Sequence, residues 1–506
     1  MTLVYGSLAL LLALLQWRFF VGFQASDDAN YLRGALGWLA HVPYVGDTHW
    51  TLRHTLTLPA AASVSTLGLS LFSLGLTTVL YFFGFVALQL HGLQRHLGFP
   101  VAACFGLFAI TTTGMIVNST YLAPDVSELF FVGATFWVLM RSLDDVEQSS
   151  RPSVRLWLAA GLLAGLAWSN RQTSAGALLA CGITAWMAGP PARRRIPWAV
   201  LGFALIVGGE WGYLTWMTGD PLYRLNVDLH HDPVNRLAEV QRVAASGGWI
   251  DKEGNLSVHL LLDPVLALFV SQKYGLLFWT GLWAAWQAWR LPRGLERQVL
   301  MRLLGLGALS YLFVAVNPKL YLVPRYLLVP AWVAAGLTAW WVARLWTQQR
   351  RVQAALVAAA VVGVNLLCLS VENTQPRAIE QALVAWVKAH PGQAVHTDIE
   401  TYERSETFFQ IAGVPRTSVS SAPAAAGDRV FYNALRVEQC AGQPRCKAQA
   451  AAFRPQPHWV AVDTLHGPSK PIGQVLQALG IAPLLPPDIA RRVVAPSYEV
   501  TLYEVR

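Results

Sequence analysis

Residues 67–90 read LGLSLFSLGLTTVLYFFGFVALQL, a run with no Asp, Glu, Lys or Arg. A helix rises about 1.5 Å per residue and the hydrocarbon core of a bilayer is about 30 Å thick, so a run of this length crosses a membrane once. Working outward from it, further apolar runs lie at 2–21, 101–117, 127–140, 156–169, 174–188, 197–217, 264–288, 303–316, 326–343 and 352–370. The chain therefore reads as a polytopic α-helical membrane protein with about 11 transmembrane helices. Nothing basic precedes the first run and no Ala-x-Ala site follows it, so it is expected to be a retained anchor rather than a cleaved signal.

Composition agrees. Of 506 residues, 54% are hydrophobic and only 13% charged, too apolar for an ordinary water-soluble globule. The formal charge of +9 does not point to nucleic acid, because the basic residues sit in short clusters between apolar runs. Those clusters are Arg95; Arg141, Arg151 and Arg155; Arg193 to Arg195; Arg290, Arg293, Arg297 and Arg302; and Arg344, Arg350 and Arg351. With the amino terminus inside, all fall on the cytoplasmic side, as the positive-inside rule expects. The opposite side then receives loops 22–66 and 218–263, the turns 118–125 and 317–325, and everything after residue 370.

Past residue 370 the pattern changes. An amphipathic stretch at 379–388 precedes short strand-like runs such as 429–432 and 459–462, which predicts a small α/β soluble domain. The expected organisation is a membrane domain over 1–370 and an extracytoplasmic domain over 371–506. Cys104, Cys181 and Cys368 lie inside apolar runs, where cysteine behaves as a small hydrophobe. Cys440 and Cys446 instead bracket Ala-Gly-Gln-Pro-Arg, a turn-prone segment that can bring two sulfurs together. A disulfide there is the expectation, and it implies an oxidising compartment.

The polar residues left over gather at the outer edges of the runs. Ser26-Asp27-Asp28-Ala29-Asn30-Tyr31 opens the first outer loop, and Pro124-Asp125 precedes Ser127 and Glu128 at the start of the fourth run. Acids suit a helix amino terminus, so capping explains each one singly. The functional reading is that one carboxylate takes a proton from a hydroxyl or binds a divalent cation. Asp28 is the expected base, because Ser26 and Asp27 are better placed to cap, while Asp125 is expected to orient an acceptor or a cation. Positive charge also appears outside, at Arg53 beside His54, at Arg171 after Asn170, and at Lys319 and Arg325 within Asn317-Pro-Lys-Leu-Tyr-Leu-Val-Pro-Arg-Tyr326. Each is read either as a side chain reaching the lipid headgroups or as part of a phosphate site. His230, His231 and Asp232 with His259 match no recognised metal spacing and read as a solvated loop.

Taken in order, the acid pair after the first run, Asp125 at the edge of the fourth, Asn170-Arg171 after a Gly-rich fifth, and Arg325-Tyr-Leu-Leu-Val-Pro330 resemble the C-type (GT-C) membrane glycosyltransferases. The branch in question is that of the protein O-mannosyltransferases and the aminoarabinose transferase of lipid A. This resemblance spans about residues 2–330. It implies a lipid-phosphate-linked sugar donor and transfer to a hydroxyl outside the cytoplasm. It places the family's first-loop acid on Asp27 or Asp28, its second outer acid on Asp125, and its late Arg-Tyr-x-x-x-Pro on Arg325, Tyr326 and Pro330, with Arg325 near the donor phosphate. Where relatives often carry Pro-Pro-Leu in the first loop, this chain has Arg53-His-Thr-Leu-Thr-Leu-Pro59, which leaves acceptor or donor contacts at Arg53 and His54 open.

The expected function is transfer of a sugar from a polyprenyl-phosphate donor to a glycan, lipid or protein hydroxyl at the outer face of a bacterial cytoplasmic membrane, with no nucleic acid partner. A divalent cation is the one cofactor the acids suggest; the sequence fixes none. Two other classes stay open. A lipid or glycan transporter predicts charges deep inside the spans, where Glu210 stands out. A noncatalytic assembly subunit predicts that the edge acids are dispensable.

Overall fold

The computed structural model describes residues 1–148, 153–230, 236–245, 258–259, 262–317, 320, 323–441 and 446–506. It forms two compact units. One comprises residues 1–20, 30–66 and 74–369, the other 21–29, 67–73 and 370–506.

The first unit is helical and apolar. Among the described residues, six helices are long and apolar enough to cross a membrane: Leu71–Leu97, Pro124–Glu147, Pro190–Thr218, Leu295–Val316, Pro324–Thr347 and Arg351–Ser370. Shorter apolar helices run over Thr2–Arg18 and Phe99–Thr111. Glycine sets the tightest packing. A Cβ on Gly161 of helix Val154–Asn170 would stand 1.9 Å from the Ala199 carbonyl oxygen, and one on Gly202 of helix Ile196–Thr218 would stand 2.3 Å from that of Leu158. Small residues thus let the two backbones touch, the usual means of helix association in lipid.

Two runs expected to be single spans are interrupted. The 101–117 run divides into Phe99–Thr111 and Thr113–Asn118, with Thr112 extended between them. The break is buried, and its polar groups are satisfied locally. The Thr111 and Thr112 hydroxyls donate to Leu107 and Phe108 carbonyls, Asn365 Nδ2 donates to both hydroxyls at 3.3 Å, and the freed Gly114 N–H donates to Lys273 O at 2.8 Å. Irregular backbone survives in a membrane protein only where protein supplies such partners. The 264–288 run divides likewise into Asp263–Phe269 and Leu277–Trp289. Fully buried Tyr274 in the connecting segment donates to the Pro324 carbonyl. Apolarity does not mark the first break, whose hydrogen bonds come from distant residues, whereas the second falls on Ser271-Gln-Lys-Tyr-Gly275, a polar segment inside the run.

The second unit carries a five-stranded sheet, β1 (Val395–His396), β2 (Val419–Ser420), β3 (Arg429–Tyr432), β4 (Trp459–His466) and β5 (Glu499–Val505), in the order β2-β1-β3-β5-β4. β1 runs parallel to β2 and β3, whereas β5 is antiparallel to β3 and β4. A core of Val430, Val437, Cys446, Ala450, Phe453 and Val505 holds its helices to the sheet. The amphipathic stretch is the helix Ala378–Ala389. Asp398 caps the next helix, Ile399–Ala412, by accepting from the Thr401 N–H at 2.9 Å. Cys446 is disulfide-bonded, and the side chain of Cys440, its expected partner, lies outside the described residues.

Candidate active site

Five consecutive residues, Ser169 to Thr173, close helix Val154–Asn170 and organise the polar centre of the first unit. Each side chain makes a polar contact with another segment. Asn170 Oδ1 accepts from the Thr55 and Ser127 hydroxyls at 3.0 and 2.8 Å, and its Nδ2 donates to the Pro124 carbonyl at 2.9 Å. Fully buried, it pins the start of helix Pro124–Gln148. Arg171 donates to Asp125 Oδ1, lies 3.8 Å from Glu128 Oε2, and covers the Tyr326 ring with its guanidinium 4.1 Å from the centroid. The Thr173 hydroxyl donates to Glu128 Oε1 at 2.7 Å. On the other flank the Ser169 hydroxyl donates to Glu210 at 2.6 Å and Gln172 to Asp228 at 2.6 Å. Arg224 bridges those two acids at 3.1 and 2.9 Å and donates to the Leu52 carbonyl at 2.8 Å.

Two buried ion networks therefore share one helix end. In the first, Asp125 is only 2% exposed. It stands in the first turn of its helix, yet its carboxylate takes the Arg171 side chain instead of a free helix N–H, so capping does not account for it. Its second oxygen, Oδ2, is buried with no hydrogen-bond partner. A buried carboxylate oxygen left open costs roughly 1–3 kcal/mol, the penalty expected where a ligand hydroxyl completes the bond. Arg171 is 5% exposed, which excludes the reading of a side chain reaching for headgroups.

Arg325 lies near the same cluster, its guanidinium 5.7 Å from the Tyr326 centroid. Lys319 lies outside the described residues. Arg53 is buried, donates to the Tyr31 hydroxyl at 2.5 Å and stacks on the Tyr31 ring. His54 faces Glu210 at 3.9 Å, and burial, helped by the Arg224 charge, pushes its imidazole down to about 4, so it is neutral at pH 7. The structure thus gathers Asp125, Arg171, Arg325 and Tyr326 around one point and sets Arg53 and His54 at the start of helix His54–Leu67, with His54 facing the second network.

The first-loop acids belong to the other unit. Asp28, 2% exposed, accepts from the Gln24 and Ser26 backbone N–H groups, the latter at 2.7 Å. Asp28 therefore also ties down the turn that opens its helix. Burial raises its carboxyl to about 6 against those two bonds and the Arg377 charge. Arg377 and Arg404 in turn donate to the Gln24 and Ala25 carbonyls, the second at 3.0 Å, and Phe23 meets Phe408 edge-on. Asp27 is half-buried.

Glu128 was visible as an acid near Asp125, and Glu210 as a charge inside an apolar run. Arg224 and Tyr274 gave no such signal, since nothing in a loop or an apolar run marks which member turns inward. Among the described residues no group of three or more His, Cys, Asp or Glu could hold a metal ion, and His231 and Asp232 lie outside them.

Compared with solved structures, the chain aligns over 98% of its length with 98% of ArnT from Cupriavidus metallidurans bound to undecaprenyl phosphate, at TM-score 0.53 and 13% identity. The chain has the GT-C fold. The apo form of the same ArnT matches at TM-score 0.52 over 80% of this chain and 84% of that one, again at 13% identity. The oligosaccharyltransferase of Archaeoglobus fulgidus, crystallised with Zn and sulfate, matches at TM-score 0.50 and 13% identity over 83% of this chain and 59% of its own. No family model matches the sequence, and no curated protein does. At such identity the GT-C likeness carries over architecture, and site residues rest on the geometry above.

Proposed function

We propose that the chain is a glycosyltransferase that moves a sugar from a polyprenyl-phosphate donor to a hydroxyl acceptor at the outer face of the cytoplasmic membrane. The observation that carries this reading is the buried Asp125–Arg171–Glu128 cluster, with one carboxylate oxygen open, built into a GT-C fold. Transfer requires three things of the protein: a group to take the acceptor proton, a cation for the leaving phosphate, and a dry site. The acceptor oxygen attacks the anomeric carbon, the carbon–oxygen bond to phosphate breaks, and the lipid phosphate departs with its negative charge. A cation near that phosphate gains interaction energy as the charge grows, and so lowers the barrier. Arg325 fills this role, with Lys319 assigned to the same phosphate, while Arg171 is committed to holding the acids.

Asp28 is assigned as the base, because a carboxyl raised to about 6 has proton affinity closer to the working pH than an ordinary aspartate and is already oriented by backbone N–H groups. Asp125, in the first unit, is assigned separately to acceptor contact through Oδ2. One observation favours the converse assignment: of Asp28 and Asp125, it is Asp125 that has a buried oxygen without a hydrogen bond. A divalent cation does not fit the first network, since Arg171 already stands between Asp125 and Glu128 as their counter-charge.

The transporter alternative loses its main support, because Glu210, the charge inside a run, is neutralised by Arg224 and hydrogen-bonded by Ser169. The test is a deletion strain complemented with the parent or with Asp125→Asn, Asp28→Asn and Asp27→Asn, with surface glycans and lipids profiled by mass spectrometry. A sugar-modified product lost on deletion and absent with at least one folded Asn variant supports the enzyme. Full product from all three variants would falsify it.

A further inference from the structure

On the arginine-rich side of the first unit, a cavity of about 480 Å³ opens beside the amino-terminal half of helix Leu295–Val316. Its rim is Trp289, Arg293, Gly294, Arg297 and Gln298, and its floor is Met301, Leu304, Gly305 and Ala308. Residues 297, 301, 304, 305 and 308 recur at helical spacing and form one stripe, cationic at the top and apolar below. The buried residues Val299, Leu300, Leu303, Leu306 and Gly307 lie on the opposite side of the helix and face protein. The stripe is therefore the membrane-facing side of the helix.

The charges at the rim are uncompensated within the cavity. No carboxylate is among its described lining residues, and the adjacent Glu296 turns away to accept from Trp340 Nε1 at 2.6 Å. Arg290 is used elsewhere, with its guanidinium 3.6 Å from the Trp286 centroid. Arg297 sits 5.9 Å from the Trp289 centroid, and its Nε is buried without a hydrogen-bond partner. Below the rim, a Cβ on Gly305 would meet nothing within 4 Å, so the missing side chain leaves the groove open rather than admitting a neighbouring helix.

We propose that this cavity binds an anionic phospholipid, with the headgroup phosphate between Arg293 and Arg297 and an acyl chain along Met301, Leu304, Gly305 and Ala308. Arginine matches phosphate through its planar fork, and a basic pocket at the cytoplasmic end of transmembrane helices meets the leaflet that carries anionic lipid. The apolar floor distinguishes a lipid from free phosphate, because only a lipid uses both halves. This site is independent of the transfer chemistry proposed above.

The test is native mass spectrometry of the delipidated full chain in detergent, offered phosphatidylglycerol or phosphatidylcholine with matched acyl chains. The parent should retain phosphatidylglycerol about tenfold better. The Arg293→Gln/Arg297→Gln variant should erase that preference, and Gly305→Leu should reduce retention of both lipids by filling the groove. Size-exclusion profiles matching the parent confirm that each variant is folded. Equal retention of the two lipids by the parent, or an unchanged preference in the double variant, overturns the proposal. So does displacement of the lipid by millimolar inorganic phosphate together with no effect of Gly305→Leu, which would mark a free-phosphate site.

Discussion

Asp28 and Asp125 look alike in sequence, each an acid opening a helix after an apolar run, yet they are held in opposite ways. Asp28 finds its partners two and four residues away, in the backbone of its own loop. Asp125 finds its partner 46 residues away, in the side chain of Arg171. A carboxylate satisfied by local backbone tolerates change around it, because the donors travel with the loop. One satisfied by a distant arginine depends on two helices keeping their places. The same residue type at the same kind of position thus serves a local purpose in one unit and a tertiary one in the other.

The hardest way to break this contrast is to remove Arg171. Arg171→Ala leaves Asp125 and Glu128 buried side by side without their counter-charge, and breaking a buried pair by deleting one partner costs about 3–5 kcal/mol. Thermal unfolding of the purified protein in detergent should show a large drop, partly restored when Glu128→Gln is added to relieve the repulsion. An unchanged midpoint would mean that the network is not buried as described.

Next in size is the effect on rate. Asp28→Asn should reduce transfer about 100- to 10,000-fold, the usual cost of losing a general base, while unfolding stays within a few degrees of the parent. Comparable loss in Asp125→Asn with retained activity in Asp28→Asn would exchange the two roles. Single-turnover sugar transfer in nanodiscs separates these outcomes.

The pH dependence sharpens the same assignment. Asp28 must be ionised to act, so transfer should rise as pH increases through about 6 and then level off, and that limb should be missing in whatever activity Asp28→Asn retains. Stability should move the other way. A carboxyl raised from 3.8 to about 6 favours the protonated fold, so its contribution is full below about pH 4 and lost as pH rises through about 6. A flat rate profile between pH 5 and 7 would remove Asp28 from proton transfer.

The smallest expected effect is on donor binding. Arg325→Ala should raise the donor KM about 10- to 100-fold, the scale of a charge-assisted hydrogen bond to phosphate, with Arg325→Lys recovering part. Donor kinetics equal to the parent's would return Arg325 to the headgroup region.

The sequence by itself determined the membrane nature of the chain and strands such as Arg429–Tyr432. Apolar length and alternation act locally, and a helix in lipid or an amphipathic strand on a core has few alternatives. The same reading singled out Asp125, Arg171 and Arg325, because charge at the edge of an apolar run is costly enough to stand out, while Tyr326 came from the family resemblance. Only the tertiary structure decided that Asn170 ties two segments together, that Arg224 neutralises Glu210, and that the runs at 101–117 and 264–288 break where Asn365, Lys273 O and Pro324 O meet them. Those pairings join residues tens to hundreds of positions apart. Hydrophobic pattern specifies which faces are buried, whereas hydrogen bonds between distant polar groups form only once the helices have chosen their neighbours.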